Sequence, residues 1–349
     1  MPFTISNKYF YAFIVSIVFL TVVYFSNSIK TNYLETNDEY KLIQTYLLND
    51  SPLYGFDKPK LWIHTKYEIN ARKWKSFQSR NSTDLNQPFI HLTINTIVNH
   101  CSNDFNICLI DDETFEKLLP HWDVDLSQVA EPIRTRIRQL GLLKLVYYYG
   151  GMVVPNSFIC SKNLRNLYQE GTENNTAFFC ENANKTANLL LDKRHKKFLP
   201  DTYCFGAKKH NETIKEIIEY SKAENRKPHF TTEPEFLGDI SMRLMREEKI
   251  NVIDGSLMGV KTIKGDTIDL EELLGDGYLD LVPNHYGIYL PDDEILSRTH
   301  YSWFAVLSKD ELLKSNITAV KYIISSLIDT TDEYKNTLEK REIRSVVAI

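Results

Sequence analysis

Residues 141–160 read GLLKLVYYYGGMVVPNSFIC, and the order of residue types in this stretch decides the fold. Just upstream and within it, Ile133, Ile137, Leu140, Leu143 and Tyr147 recur at three- and four-residue steps. That spacing predicts an amphipathic helix over 132–149. Gly150 and Gly151 stop it, because glycine enters left-handed dihedrals without a Cβ clash. Met152, Val153 and Val154 resume as a short buried strand. Pro155 has no N–H for a ladder and closes that strand. Ligands of open α/β sheets sit beyond the carboxyl ends of the strands. Pro155, Asn156 and Ser157 are therefore expected on the ligand side.

Moving outward, KLWIHT at 60–65 reads as a strand, 88–100 as a helix, and FNICLI, closing at residue 110, as a second strand. That strand runs into Asp111 and Asp112 and a short helix over 113–119. Strand and helix alternating at this spacing imply a parallel or mostly parallel sheet flanked by helices. Downstream, 177–180, 202–207 and 250–254 read as strands, and 161–171, 211–223, 235–247 and 270–274 as helices. HYGIYL at 285–290 follows a turn-rich link. Helical regions are expected over 309–327 and 333–343. Residues 66–87 read as a loop and surface turn, and 181–200 as a solvated basic loop.

The chain has 349 residues, 43% hydrophobic and 25% charged, with a net charge of −5. That balance suits a large globular domain. No basic block is long enough to track a phosphate backbone, which argues against nucleic acid as a partner. Cys101, Cys108, Cys160, Cys180 and Cys204 form no Cys-x-x-Cys pair, so a structural zinc site is not expected. Buried free thiols, or one or two disulfides in an oxidising compartment, both fit them. No phosphate-loop, dinucleotide-binding or nucleophile-elbow motif occurs.

Residues 9–29 carry no charge and lie between Lys8 and Lys30. A helix of that length spans about 30 Å, the thickness of a bilayer core. Tail 1–8, transmembrane signal anchor 9–29, polar stem 30–58 and a domain over 59–349 are the expected organisation. The expectation is a type II, single-pass protein in contact with the lipid bilayer, its soluble domain lumenal or extracytoplasmic. Asn81, Asn174, Asn184, Asn211 and Asn316 open glycosylation sequons.

Three landmarks resemble a known family of sugar transferases. PKLWIH at 59–64 looks like its opening strand. YYGGMVV at 148–154 is similar to its helix, Gly-Gly turn and strand. THYSW at 299–303 is similar to its late His and Ser-Trp. The family is that of the Asp-x-Asp transferases, which includes the yeast initiating α-1,6-mannosyltransferase and capsular polysaccharide synthesis proteins. The resemblance spans roughly 59–303. It implies a GT-A-like α/β fold, a nucleotide-sugar donor and a glycan acceptor. It also implies donor contacts from His64, Asn156, Ser157, His300, Ser302 and Trp303.

Departures from the family pattern bear on chemistry. Its Asp-x-Asp falls on Pro155-Asn156-Ser157, and its upstream Asp-x-x-Arg falls on Gln139 and Leu142. Neutral oxygens hold Mn²⁺ or Mg²⁺ far less tightly than carboxylates, so a metal is expected only if a displaced carboxylate site exists. Asp111 and Asp112 are the nearest candidates for catalytic acids, with Asp254 another. Alternatively Arg134, Arg136 or Arg138 stabilises a leaving diphosphate without metal. Two functions stay open: a membrane-anchored transferase with an altered or metal-independent site, and a pseudoenzyme. The latter is a catalytically inactive domain that binds a protein partner or builds a membrane or particle shell.

Overall fold

A computed structural model of the protein describes residues 58–65, 88–131, 133–184, 200–226 and 238–329. Internal contacts divide the chain after residue 50, and 51–349 form one compact unit. The elements are β1 (Lys60–His64), α1 (Phe89–Cys101), β2 (Asn106–Ile110), α2 (Asp112–Leu118), α3 (Ile133–Tyr149), β3 (Gly151–Val153) and β4 (Phe158–Cys160). Then come α4 (Arg165–Gly171), β5 (Ala177–Glu181), β6 (Pro200–Ala207), α5 (Glu212–Asn225), α6 (Gly238–Arg246), β7 (Ile250–Ile253) and α7 (Leu270–Leu274). The chain closes with β8 (Gly287–Tyr289), α8 (Asp292–Ser297), α9 (Ser302–Ala305), α10 (Lys309–Lys314) and α11 (Thr318–Asp329).

Six strands form one sheet in the order β2-β1-β3-β6-β5-β7, and β4 pairs with β8 in a second. β1 lies between β2 and β3 and is parallel to both. Its Leu61, Trp62 and Ile63 are fully buried, as a strand with neighbours on both edges requires. The expected mostly parallel sheet is corrected to a mixed one: β6 runs antiparallel to β3 and to β5. The register of β6 depends on glycine: Gly206 pairs with Met152 of β3 and Phe178 of β5, and a Cβ on it would collide with both side chains. Described helices lie in sequence between β1 and β2, β2 and β3, β4 and β5, and β6 and β7, and the α/β arrangement is consistent with a GT-A-like topology.

The Gly-Gly turn sets the position of α3 against the sheet. Gly150 (φ +72°) and Gly151 (φ +98°) are both left-handed. A Cβ on Gly151 would collide with the carbonyl of Lys60 in β1. The indole N–H of Trp62 donates to the Gly150 carbonyl at 3.0 Å, tying the turn to the central strand. α3 packs on α5 and touches β3 and β6, while α1 packs on β4 and α11. All five cysteines are buried and free.

The single-pass membrane topology is also corrected. No helix among the described residues is long and apolar enough to cross a membrane. The 9–29 segment on which the anchor, bilayer contact and extracytoplasmic location rested lies outside the described residues, and those expectations are withdrawn. The stem up to 57, the loop at 66–87 and the last helix at 333–343 also lie outside them.

Candidate functional site

A cleft of about 130 Å³ opens where β1 and β3 end. Three groups of residues build it. His64, the last residue of β1, faces Thr135, Arg138, Gln139 and Leu142 of α3. Val153, Val154, Pro155 and Asn156 carry β3 into the cleft. Thr202 and Tyr203 of β6, Tyr289 of β8, and Asp292 and Asp293 of α8 complete the wall. Positions 139, 142 and 155, three of the four where the family pattern calls for its carboxylates and arginine, thus line one cleft, while Ser157, the fourth, is not among the lining residues.

The charged wall is locked. Asp111 ends the approach to α2 as its N-cap and accepts the Thr114 N–H at 2.9 Å, with the Thr114 hydroxyl completing a capping box. Its carboxylate is therefore a helix cap. Asp112, the next residue, takes a forked pair from Arg138, with Nε to Oδ1 at 2.8 Å and Nη2 to Oδ2 at 2.6 Å. His64 Nε2 lies 2.9 Å from the same Oδ1. The Arg138 side chain is only 7% exposed and also reaches Glu131 at 3.4 Å. Burial opposes ionisation of Asp112, but hydrogen bonds and positive charge from His64 and Arg138 outweigh it, holding this carboxyl well below the usual range. His64 is held in place by its ring, which stacks on Phe115 with centroids 5.5 Å apart.

Arg136 and Arg138 are buried, and Arg134 donates through Nε to the Val129 carbonyl at 2.6 Å. Asn156 is buried, and its carbonyl accepts from the Thr93 hydroxyl at 2.5 Å. Ser157 is fully buried and donates to the Leu290 carbonyl at 2.6 Å, so its oxygen is drawn into packing. Asp254 caps a short 3-10 turn by accepting the Ser256 N–H at 2.8 Å, away from the cleft wall. His300, Ser302 and Trp303 are not among the lining residues. Ser302 donates to the Thr299 carbonyl at 2.9 Å, and Trp303 is half exposed beside Phe304, whose own ring packs on Phe89. The shortened His-to-Trp spacing places these residues on α9 and the turn before it.

One lining group has no protein partner. Gln139 Oε1 is buried and accepts no hydrogen bond. Such an orphan acceptor costs about 1–3 kcal/mol. Composition and spacing gave no sign of it, nor of Tyr203 and Tyr289, whose rings meet at 4.5 Å. A signal for Asp292 and Asp293 was present: an acidic pair behind Pro291, directly after the GIY strand.

The glycosylation candidates divide by exposure. Asn174 and Asn316 are exposed. Asn184 is buried and donates to the Tyr289 carbonyl, while buried Asn211 caps α5 and donates to the Asn175 carbonyl. Asn81 lies outside the described residues.

Comparison with solved structures finds similarity to the apo-form glycosyltransferase GlyE of Streptococcus pneumoniae TIGR4. Identity is 10% and the TM-score 0.38, over 81% of this chain and 64% of that one. The chain therefore spans less than two thirds of the length of that structure. No family model matches, and no curated protein matches. The likeness is a distant structural one to a glycosyltransferase, with no specific match to the yeast mannosyltransferase.

The functional expectations are corrected accordingly. Among the described residues no group of three or more His, Cys, Asp or Glu side chains could hold a metal ion. Of the two acids expected to replace the lost pair, Asp111 is a helix cap, and Asp112 has both oxygens engaged by Arg138 and one shared with His64. Neither transfer from a nucleotide sugar to a glycan acceptor at a displaced metal site, nor a leaving diphosphate on Arg138, has a basis in this arrangement. The membrane-anchored transferase and its inactive shell-building alternative are both set aside.

Proposed function

We propose that the cleft binds a small, neutral or cationic molecule that presents hydroxyl or amine hydrogen-bond donors. The observation that carries this reading is Gln139 Oε1, a buried acceptor with no protein donor, in a cleft at the carboxyl ends of two strands. A ligand donor placed there recovers the desolvation cost of that oxygen. Asp292 and Asp293 line the same cleft, and carboxylate oxygens accept from donors of the same kind. Its volume of about 130 Å³ is close to the roughly 150 Å³ that admits a benzene-sized guest. A whole molecule of that size, or one ring of a larger one, fits. His64 and Arg138, both held by Asp112, form a rigid wall of the site. The landmarks at 59–64, 148–154 and 299–303 support descent from the Asp-x-Asp transferases without implying that their chemistry persists.

The test is a thermal-unfolding screen of the full chain against small polyols, hexoses, amino sugars and primary amines, repeated on Gln139→Met. At least one compound is expected to stabilise the wild type and lose its effect in the variant. No stabilisation by any class, or stabilisation unchanged in Gln139→Met, contradicts the reading.

A further inference from the structure

A second concavity lies at the other end of α3. Its volume is about 500 Å³, and it is open to solvent. Lys117 and Pro120 come from the end of α2 and the turn after it. Tyr148 and Tyr149 are the last residues of α3. Lys209 and His210 come from the turn between β6 and α5. Three basic side chains thus share one basin with two aromatic rings, and among the described residues no acid lines it.

The basin is held by specific backbone features. His210 is left-handed at φ +58°, an uncommon conformation for a residue with a Cβ. Its N–H donates to the Tyr147 carbonyl at 2.7 Å. A Cβ on Gly150 would stand 2.9 Å from the Lys209 nitrogen, so glycine there permits the turn to approach α3. The Tyr149 hydroxyl donates to the Leu118 carbonyl at 2.7 Å and joins the α2 wall to the α3 wall.

Basic residues at a helix C-terminus often serve only to complement its dipole. Here other donors already do so at α3. The Val146 carbonyl accepts from the Gly150 N–H and the Tyr147 carbonyl from the His210 N–H. The Lys209 ammonium is not needed for either bond. Lys117 has one acid within reach, Glu113 at 4.0 Å, and its side chain is 72% exposed. An exposed pair of that kind contributes roughly 0–1 kcal/mol and yields readily to a competing anion.

We propose that this basin binds a small organic phosphate carrying an aromatic ring. Lys117, Lys209 and His210 face the anion, and Tyr148 and Tyr149 supply ring contact. The site is separate from the cleft and independent of what the cleft binds. Phenyl phosphate, inorganic phosphate and phenol are the probes, titrated calorimetrically into the full chain at low and high salt. Phenyl phosphate is expected to bind more tightly than either fragment and to weaken as salt rises. Lys209→Ala and Lys117→Ala are each expected to weaken it roughly five-fold, and Lys209→Arg to retain most of the affinity. Equal affinity for phosphate and phenyl phosphate, binding indifferent to both lysines, or no binding at millimolar probe overturns the proposal. Both lysines are surface residues, so the variants are expected to fold; a wild-type unfolding midpoint in each verifies it.

Discussion

The two ends of α3 handle charge in opposite ways. Near its start, Arg138 is buried and locked to Asp112, which also holds His64. About ten residues further along, roughly 15 Å at 1.5 Å per residue, Lys117, Lys209 and His210 surround a basin with no acid on its wall among the described residues. Charge at the first end is structural because Arg138 is desolvated and must be paired, and Asp112 supplies that pairing. Charge at the second end stays in solvent, where it is available to a ligand. A charged residue near the carboxyl end of a strand is thus a poor guide to function until its partners are known.

The largest expected effect of breaking this contrast is at Asp112. Asp112→Asn leaves the Arg138 guanidinium buried with its main partner neutralised, and is expected to lower stability by about 3–5 kcal/mol in urea unfolding. It also changes the acid limb. The folded-state carboxyl titrates below its ordinary value, so its contribution is fully present above about pH 4 and is lost as pH falls from there toward the folded value. The variant is expected to lack that part of the acid-induced loss. An unchanged acid limb would place the acid sensitivity elsewhere.

Gly150→Ala sharpens the other end. With φ at +72° and the Lys209 nitrogen 2.9 Å from the new Cβ, it is expected to cost about 1–3 kcal/mol. It should also shift the amide resonances of 208–210 while leaving those around His64 in place. Equal disturbance at both ends would mean that the turn and the cleft move together.

Gln139→Met tests the cleft more gently. It removes an orphan acceptor and keeps the volume, so stability is expected to stay level or rise by up to about 1 kcal/mol. A loss above that would show that Oε1 has a partner in solution. The smallest effect is at Lys209→Ala, expected to change stability by less than about 0.5 kcal/mol, against the large loss at Asp112.

Much of the scaffold was legible in the sequence. The strand at β1, the helix at α3 and the break at Gly150-Gly151 follow from periodicity and glycine geometry, and the short helix Leu270–Leu274 was read with the same limits. β4 was not, since three residues after a Pro-Asn-Ser turn are too few to display a period. The antiparallel sense of β6 has no local signature, since it rests on which strands Gly206 meets, Met152 of β3 and Phe178 of β5, residues 54 and 28 positions away. Site residues were legible by place and not by state. Asn156 does reach the cleft, and so do the unusual Gln139 and Leu142. The pairing of Asp112 with Arg138 joins residues 26 apart, and the orphan state of Gln139 depends on what packs around it. Neither has a local sequence signature.

A double-mutant cycle between Asp112 and Arg138 tests the central contrast most directly. Asp112→Asn, Arg138→Met and the double variant are unfolded in urea and their stabilities compared. A locked, buried pair predicts a coupling of about 2–3 kcal/mol, with the double variant more stable than Asp112→Asn alone. Additive losses, with coupling below about 0.5 kcal/mol, would show that the two charges do not depend on each other and would return Arg138 to the set of groups free to meet a ligand.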